Sequence, residues 1–220
     1  MRLIHKERPM LFIFDWDGTL CDSLERIIVS AQRAAGDFQL PVPASTEVRS
    51  IVGLGLVEAM RSLFPAVNEE QHQSLAECYR QHFLNLGEEL PSALYPGVLD
   101  TLEKLRSENH RFAIATGKSR IGLDSVLKEV GLENYFDASR CADETQSKPH
   151  PQMLYELLQE LDHRAEDALM VGDTDFDLIM AQAAGVRAIG VSYGAHPLER
   201  LQKCNPHLIV ERFSNIRDHF

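Results

Sequence analysis

The chain has 220 residues, 44% hydrophobic and 25% charged, enough apolar material for one core domain plus a small insertion without disulfide staples. A formal net charge of −11 with no basic cluster argues against nucleic acid or an anionic membrane as partner. Cys21, Cys78, Cys141 and Cys204 lie far apart without a C-x-x-C pair, residues 1–9 show no apolar leader, and no run approaches the roughly 18–20 apolar residues of a membrane span, so a cytoplasmic protein with reduced thiols is expected.

Leu11-Phe12-Ile13-Phe14 is an apolar run ended by Asp15-Trp16-Asp17-Gly18-Thr19-Leu20. Branched and aromatic residues predict a buried strand here, with Gly18 and Thr19 as its closing turn. A carboxylate at the carboxyl end of such a strand sits at the mouth of an open α/β sheet, where those folds bind ligands. Asp15 and Asp17 then read as a nucleophile and a proton-transfer partner beside open backbone N–H groups. The plain alternative is a strand-ending Asp with an Asx turn. Trp16, alternating with the two aspartates, is expected to point into packing.

From about Cys21 to Ser92 the pattern is helical and free of strands. Leu24, Ile27, Ile28 and Ala31 share a face; Val57, Met60, Ser62, Leu63 and Phe64 mark a second helix ended by Pro65; Asn68 can cap a third with Leu75, Tyr79, Phe83 and Leu86 on one side. Between the first two, Arg49 precedes Gly53-Leu54-Gly55, which reads as an interhelix turn or a flexible loop. Alternating strands and helices begin at Tyr95-Pro96-Gly97. Leu99, Leu102 and Leu105 mark a helix before the strand Arg111–Ala115; Ile121, Leu123, Val126, Leu127 and Val130 mark the next, stopped by Gly131. Phe136, Ala138 and Ser139 predict a short strand, Met153 to Leu161 a helix, and Ala168–Val171 a strand. The helix after Asp177, through Leu178, Ile179, Ala181 and Ala184, ends at Gly185. Ala188–Val191 is a last strong strand and Leu208–Val210 an edge one. The fold class is therefore α/β: a Rossmann-like open parallel sheet formed by residues 1–20 and 93–220, with an inserted helical unit over 21–92.

Three polar strand tips and a loop lysine recur in order: Asp15-Trp16-Asp17-Gly18-Thr19, then Thr116-Gly117-Lys118, then Lys148-Pro149, then Gly172-Asp173-Thr174 with Asp177. This series resembles the haloacid dehalogenase superfamily of phosphatases, from about Leu11 to about Val191. The resemblance implies that Asp15 forms an aspartyl-phosphate, and that Asp17 protonates the leaving alcohol and then activates water. It further implies that Asp15, Asp173 and the Asp17 carbonyl hold Mg²⁺, that Lys148, Thr116, Gly117 and the open N–H groups at Gly18 bind phosphate, and that Asp177 orients Lys148 or a metal-bound water. The chemistry explains the residue types. A carboxylate meeting a phosphate dianion is repelled by roughly 4 kcal/mol per unit-charge pair at about 4 Å, so fixed positive charge is required.

In family terms, residues 21–92 resemble a helical cap that closes over the site and contacts the leaving group. Arg49 and Gly53 are its candidates for substrate selection; Arg49 reads equally as a surface ion pair. Lys118 reads as a rim residue or a phosphate ligand, and His150 as a helix-start residue. No lysine occurs between Asp15 and Leu102, which disfavours Schiff-base chemistry from the cap. The segments around Cys21 and Arg49–Gly53 look like phosphoglycolate phosphatases. A broad sugar-phosphate or nucleotide phosphatase, a phosphosugar mutase and a non-catalytic phosphate-binding module are the alternatives. The expected partner is a small phosphorylated metabolite, and the expected state a monomer or homodimer.

Overall fold

A computed structural model describes residues 9–219. The stretch read for a leader, apart from Pro9, and the first residues assigned to the core lie outside the described residues. Six strands form one sheet, β1 (Leu11–Phe14), β4 (Arg111–Thr116), β5 (Ala138–Cys141), β6 (Ala168–Gly172), β7 (Arg187–Val191) and β8 (Leu208–Val210). Their order is β5-β4-β1-β6-β7-β8 and all neighbours run parallel. β1 is central and fully buried, which is why it reads as a continuous apolar run rather than an alternating one.

The pleat divides β1 between two cores. Phe12 and Phe14, followed by Trp16, face a cluster with α5 (Val98–Ser107) and α6 (Arg120–Glu129); Leu11 and Ile13 face the other, with α7 (Gln152–Glu160) and α8 (Asp175–Ala184). Trp16 is wholly buried and meets Phe136 edge-on, as expected of a packing residue. Register brings the catalytic candidates together. Phe14 lies beside Ile114 on one side and Val171 on the other. Asp15, Thr116 and Asp173 therefore leave the sheet at one edge.

Four helices, α1 (Leu24–Asp37), α2 (Ser45–Ile51), α3 (Leu56–Leu63) and α4 (Glu69–Asn85), are inserted after β1. Asn68 caps α4 by accepting from the Gln71 N–H, as its position predicted. The insert is not strand-free. Cys21–Asp22 (β2) pairs antiparallel with Ala93–Leu94 (β3), because the two crossings of the chain run side by side. Two-residue strands carry no periodicity, and the seven-residue α2 also went unread. Leu99, Ile121 and Ile179, which help mark their helices in the sequence, lie on the outer faces and are exposed at 40%, 75% and 40%.

Arg26 fastens the base of the insert. Its guanidinium donates to the Phe83 carbonyl at 2.7 Å, to Ser92 Oγ at 3.1 Å and to Glu129 Oε2 of α6 at 3.1 Å, and it lies over the Phe83 ring. Arg26 is buried while Glu129 is 26% exposed. Removing one partner of such a pair strands the other, so Arg26→Ala should destabilise by about 3 kcal/mol, lowering the thermal midpoint by roughly 6–12 °C. Arg61→Ala, in an exposed pair with Glu58 and Glu69, should shift it little. Equal shifts in the two variants would show that the Arg26 pair is solvent-screened.

Candidate active site

Asp15 begins where β1 stops, and its N–H still donates to the Val171 carbonyl at 2.9 Å. Lys148 reaches it from the loop before α7. The Lys148 ammonium lies 2.7 Å from Asp15 Oδ1 and 2.6 Å from Asp177 Oδ1, with all three side chains buried. Asp177 is held from its other side, where Thr174 N–H and Oγ1 donate to Oδ2 at 3.1 and 2.7 Å. The α8 capping box thus also fixes the lysine's second partner.

Asp173 accepts from Thr19 Oγ1 at 2.9 Å and from the Ala195 N–H at 2.6 Å. Gly18 makes room for it: this residue sits at φ +80°, and a Cβ there would lie 2.2 Å from Asp173 Oδ2. Asp17 Oδ1 accepts from Ser23 Oγ at 2.5 Å and pairs with Lys118 Nζ at 3.1 Å. The Lys118 ammonium also lies 4.2 Å from the centre of the Phe83 ring of the insert. Lys118 therefore sits inside the site, against Asp17, and not merely on its rim.

The carboxylates of Asp15, Asp173 and Asp177 offer oxygens within 4.8 Å of one another. Burial drives the Asp15 carboxyl well above its ordinary range; Lys148 opposes this, and Asp177 and Asp173 add to it. Burial, then repulsion from Asp177, lifts Asp173 to about 6. Burial alone would lower Lys148, but Asp15 and Asp177 hold it above its ordinary value. Asp15 Oδ2 is buried with no hydrogen-bond partner. An unpaired buried carboxylate oxygen in a crowded, all-oxygen donor set fits a hard divalent cation such as Mg²⁺. Asp15 and Asp173 would supply side-chain oxygens for it. Asp177 is already engaged by Lys148 and Thr174.

Thr116 is buried, and its hydroxyl oxygen accepts from the Lys118 N–H at 3.2 Å. Gly117 is pressed against the insert: a Cβ there would lie 2.4 Å from the Leu54 carbonyl oxygen and 2.7 Å from that of Gly53. The Gly53-Leu54 loop therefore rests directly on the Thr116-Gly117 tip. A pocket opens here, lined by Asp15, Asp17, Thr116, Gly117 and Lys118 from the core and by Gly53 and Leu54 among many insert residues. Arg49 is not among its lining residues; its guanidinium donates to the Gly194 carbonyl at 3.3 Å. Arg80, on α4, does line it. His150 is exposed, and its Nδ1 accepts from the Gln152 N–H at the start of α7.

Sequence reasoning missed Ser23, the Gly194-Ala195 segment and Thr19 as partners of the acidic groups. Ser23 and Thr19 stand within six residues of Asp17, so proximity was their only available signal.

The chain matches the family model described as haloacid dehalogenase-like hydrolase over residues 12–191. It belongs to that family. It is 34% identical over 211 residues to a probable phosphatase, IndB, of Dickeya dadantii, covering 94% of this chain and 91% of that one. It is 30% identical over 206 residues to the pyrophosphatase PpaX of Bacillus pumilus, covering 93% of each. A solved structure of a predicted phosphoglycolate phosphatase from Haemophilus somnus 129pt superposes with a TM-score of 0.85 at 26% identity, covering 96% of this chain and 97% of that one. These relatives set the chain among the family's phosphatases.

The raised Asp173 yields a pH-linked expectation. A carboxyl lifted to about 6 in the fold makes the metal-free protein lose stability as pH rises from the ordinary carboxylate range through 6. A divalent cation would take the proton's place above that range. Mg²⁺ should therefore raise the thermal midpoint at pH 8 and barely at pH 5. Asp173→Asn should be at least as stable as the parent without metal at pH 8, yet gain nothing from Mg²⁺. An undiminished Mg²⁺ response in that variant would remove Asp173 from the metal site.

Proposed function

We propose that this phosphatase hydrolyses a small phosphomonoester, with Mg²⁺, through an aspartyl-phosphate on Asp15. The observation that supports it best is the placing of Asp15: one oxygen on Lys148, the other buried and unpartnered, at the floor of a pocket that also contains Asp17 and Thr116. A pure binder of phosphate has no use for an anionic group aimed at its ligand.

Asp15, Asp173 and the Asp17 carbonyl would hold the Mg²⁺, which supplies charge neutralisation between carboxylate and phosphate. Lys148 adds a fixed ammonium, and Thr116 and the Gly117 and Gly18 N–H groups serve as donors to phosphate oxygens. The Asp15 carboxylate attacks phosphorus as the bond to the leaving oxygen breaks, and Asp17 delivers the proton to that oxygen. Asp17 then takes a proton from water, which attacks the phosphorus and frees Asp15. Ser23 and Lys118 both grip Asp17 Oδ1, leaving Oδ2 for the proton. Residues 21–92 act as a cap whose closure excludes water.

Hydrolysis is favoured over return of the phosphoryl group to a sugar. The first histidine after Asp15, His72, is buried in α4 with Nε2 against the Phe64 carbonyl at 3.0 Å, and the β2–β3 hinge carries none. Phosphoglycolate, suggested by the segments around Cys21 and Arg49, would find its cation in Lys118 or Arg80; Arg49 would meet it only by leaving Gly194.

Asp15→Asn keeps the shape and removes the nucleophile. Release of phosphate from p-nitrophenyl phosphate should fall by several orders of magnitude in folded protein, and near-normal turnover would sink the mechanism. Asp17→Asn divides the steps. Phosphoenzyme formation should slow far more with an alkyl phosphate, whose alkoxide needs a proton, than with p-nitrophenyl phosphate. Equal slowing in rapid-quench measurements would leave Asp17 a structural role only.

A further inference from the structure

We propose that the natural substrate is a phosphomonoester whose alcohol carries an apolar body, alkyl or aryl, larger than glycolate. This rests on the phosphatase reading above and names the substrate class of the same pocket.

The pocket over Asp15 and Asp17 runs from the core loops deep into the insert, reaching Ile27 and Ala31 on α1, Val48 and Ile51 on α2, Met60 on α3 and Leu84 on α4. Its polar lining comes almost entirely from the core loops: the two aspartates, Thr116, Lys118 and Ser119. The insert contributes chiefly hydrocarbon and aromatic surface, with Ile27, Ile51, Leu56, Met60 and Phe83 at its heart. Its only polar side chains in the lining are Tyr79 and Arg80. Burial keeps the Tyr79 phenol above its ordinary range and so neutral, and Arg80 is paired with Glu77 on its own helix.

The mouth is apolar as well. Ile121, 75% exposed, is the most exposed large apolar side chain among the described residues, and it lines this pocket from the core side. Leu84, 44% exposed, lines it from α4. Apolar surface left in water on both sides of one opening marks a ligand site. A polyhydroxylated sugar or a glycolate carboxylate would give up hydration here and recover few hydrogen bonds. An apolar alcohol gains by leaving water, while its phosphate reaches the polar floor.

The test is a ladder of ethyl, butyl and hexyl phosphate beside phosphoglycolate, all with Mg²⁺. Unbranched alkoxides leave with nearly equal difficulty, so the ladder reads pocket contact and not reactivity. kcat/KM should climb about fourfold per added methylene while the pocket accepts the chain, and butyl phosphate should exceed phosphoglycolate. Leu56→Ser should flatten the climb in protein that keeps its cooperative thermal transition. Ile121→Ser, at a position exposed enough to have little folding role, should flatten its upper end. A level or falling ladder, or phosphoglycolate ahead of butyl phosphate, would overturn the proposal. So would an undiminished climb in both variants. No phosphate release from any ester, p-nitrophenyl phosphate included, would bring down the phosphatase reading itself and this proposal with it.

Discussion

One lysine stands among three buried carboxylates, and most of the site exists to make that arrangement tolerable. Lys148 pairs with Asp15 and Asp177, while Asp173 lies close enough to raise the Asp15 carboxyl further. Two like charges about 4 Å apart repel by roughly 4 kcal/mol even at an effective dielectric of 20. With all four groups ionised the cluster carries two uncompensated negative charges, so the fold favours whatever brings positive charge to it. A proton does this near pH 6 at Asp173; a divalent cation does it at higher pH without blocking the carboxylates as oxygen donors. The same imbalance that weakens the cation-free fold would favour a divalent cation at this site.

The supports of this cluster come from well-separated parts of the chain, and each leaves one group only one useful orientation. Thr174 saturates one oxygen of Asp177, so the other is left for Lys148. Thr19 and the Ala195 N–H each donate to one oxygen of Asp173 and hold its plane, leaving a further lone pair on each oxygen. Tyr193 then donates to the Thr19 carbonyl at 2.8 Å, joining the turn after β1 to the loop after β7. A parallel sheet makes this possible, since every strand delivers its carboxyl end to the same edge.

How much of this was readable in the residues follows from the range of each interaction. The strands of the six-stranded sheet and their polar tips were, because a buried parallel strand writes itself as a short apolar run and the tip follows directly. Contacts that depend on how the insert lands on the core were not. Arg49 shows why. It is the arginine nearest Gly53 in sequence, which made it a natural partner for the leaving group. In the structure Val48 and Ile51 are the buried residues of α2, and Arg49, one position round the helix from Val48, reaches the Gly194 carbonyl on the core instead. Lys118 is the converse case. A lysine after Thr-Gly looks like a rim residue until Asp17 and the Phe83 ring are brought against it by strand register and by the seating of α4.

Phe83 links the position of the insert to Asp17, the proposed acid–base group. Its ring lies 4.1 Å from the Arg26 guanidinium and 4.2 Å from the Lys118 ammonium, and Lys118 in turn pairs with Asp17. Each cation is favoured by the ring's negative face, but Arg26 shares the insert with Phe83 whereas Lys118 belongs to the core, so only Lys118 would lose the ring if the insert moved away. At the neighbouring tip Gly117 touches the Gly53-Leu54 backbone so closely that no side chain would fit. Lifting the insert would therefore break two contacts together, one to the Thr116-Gly117 tip and one to Lys118, the partner of the proposed proton donor Asp17. Lys118 released from the ring keeps its charge but loses the surface that holds it beside Asp17. On the proposed mechanism, seating of the insert over a substrate would hold Lys118 against Asp17 at the same moment that it shuts out water. This gives a physical reason for an otherwise ordinary core lysine to be packed beneath an aromatic residue of the cap.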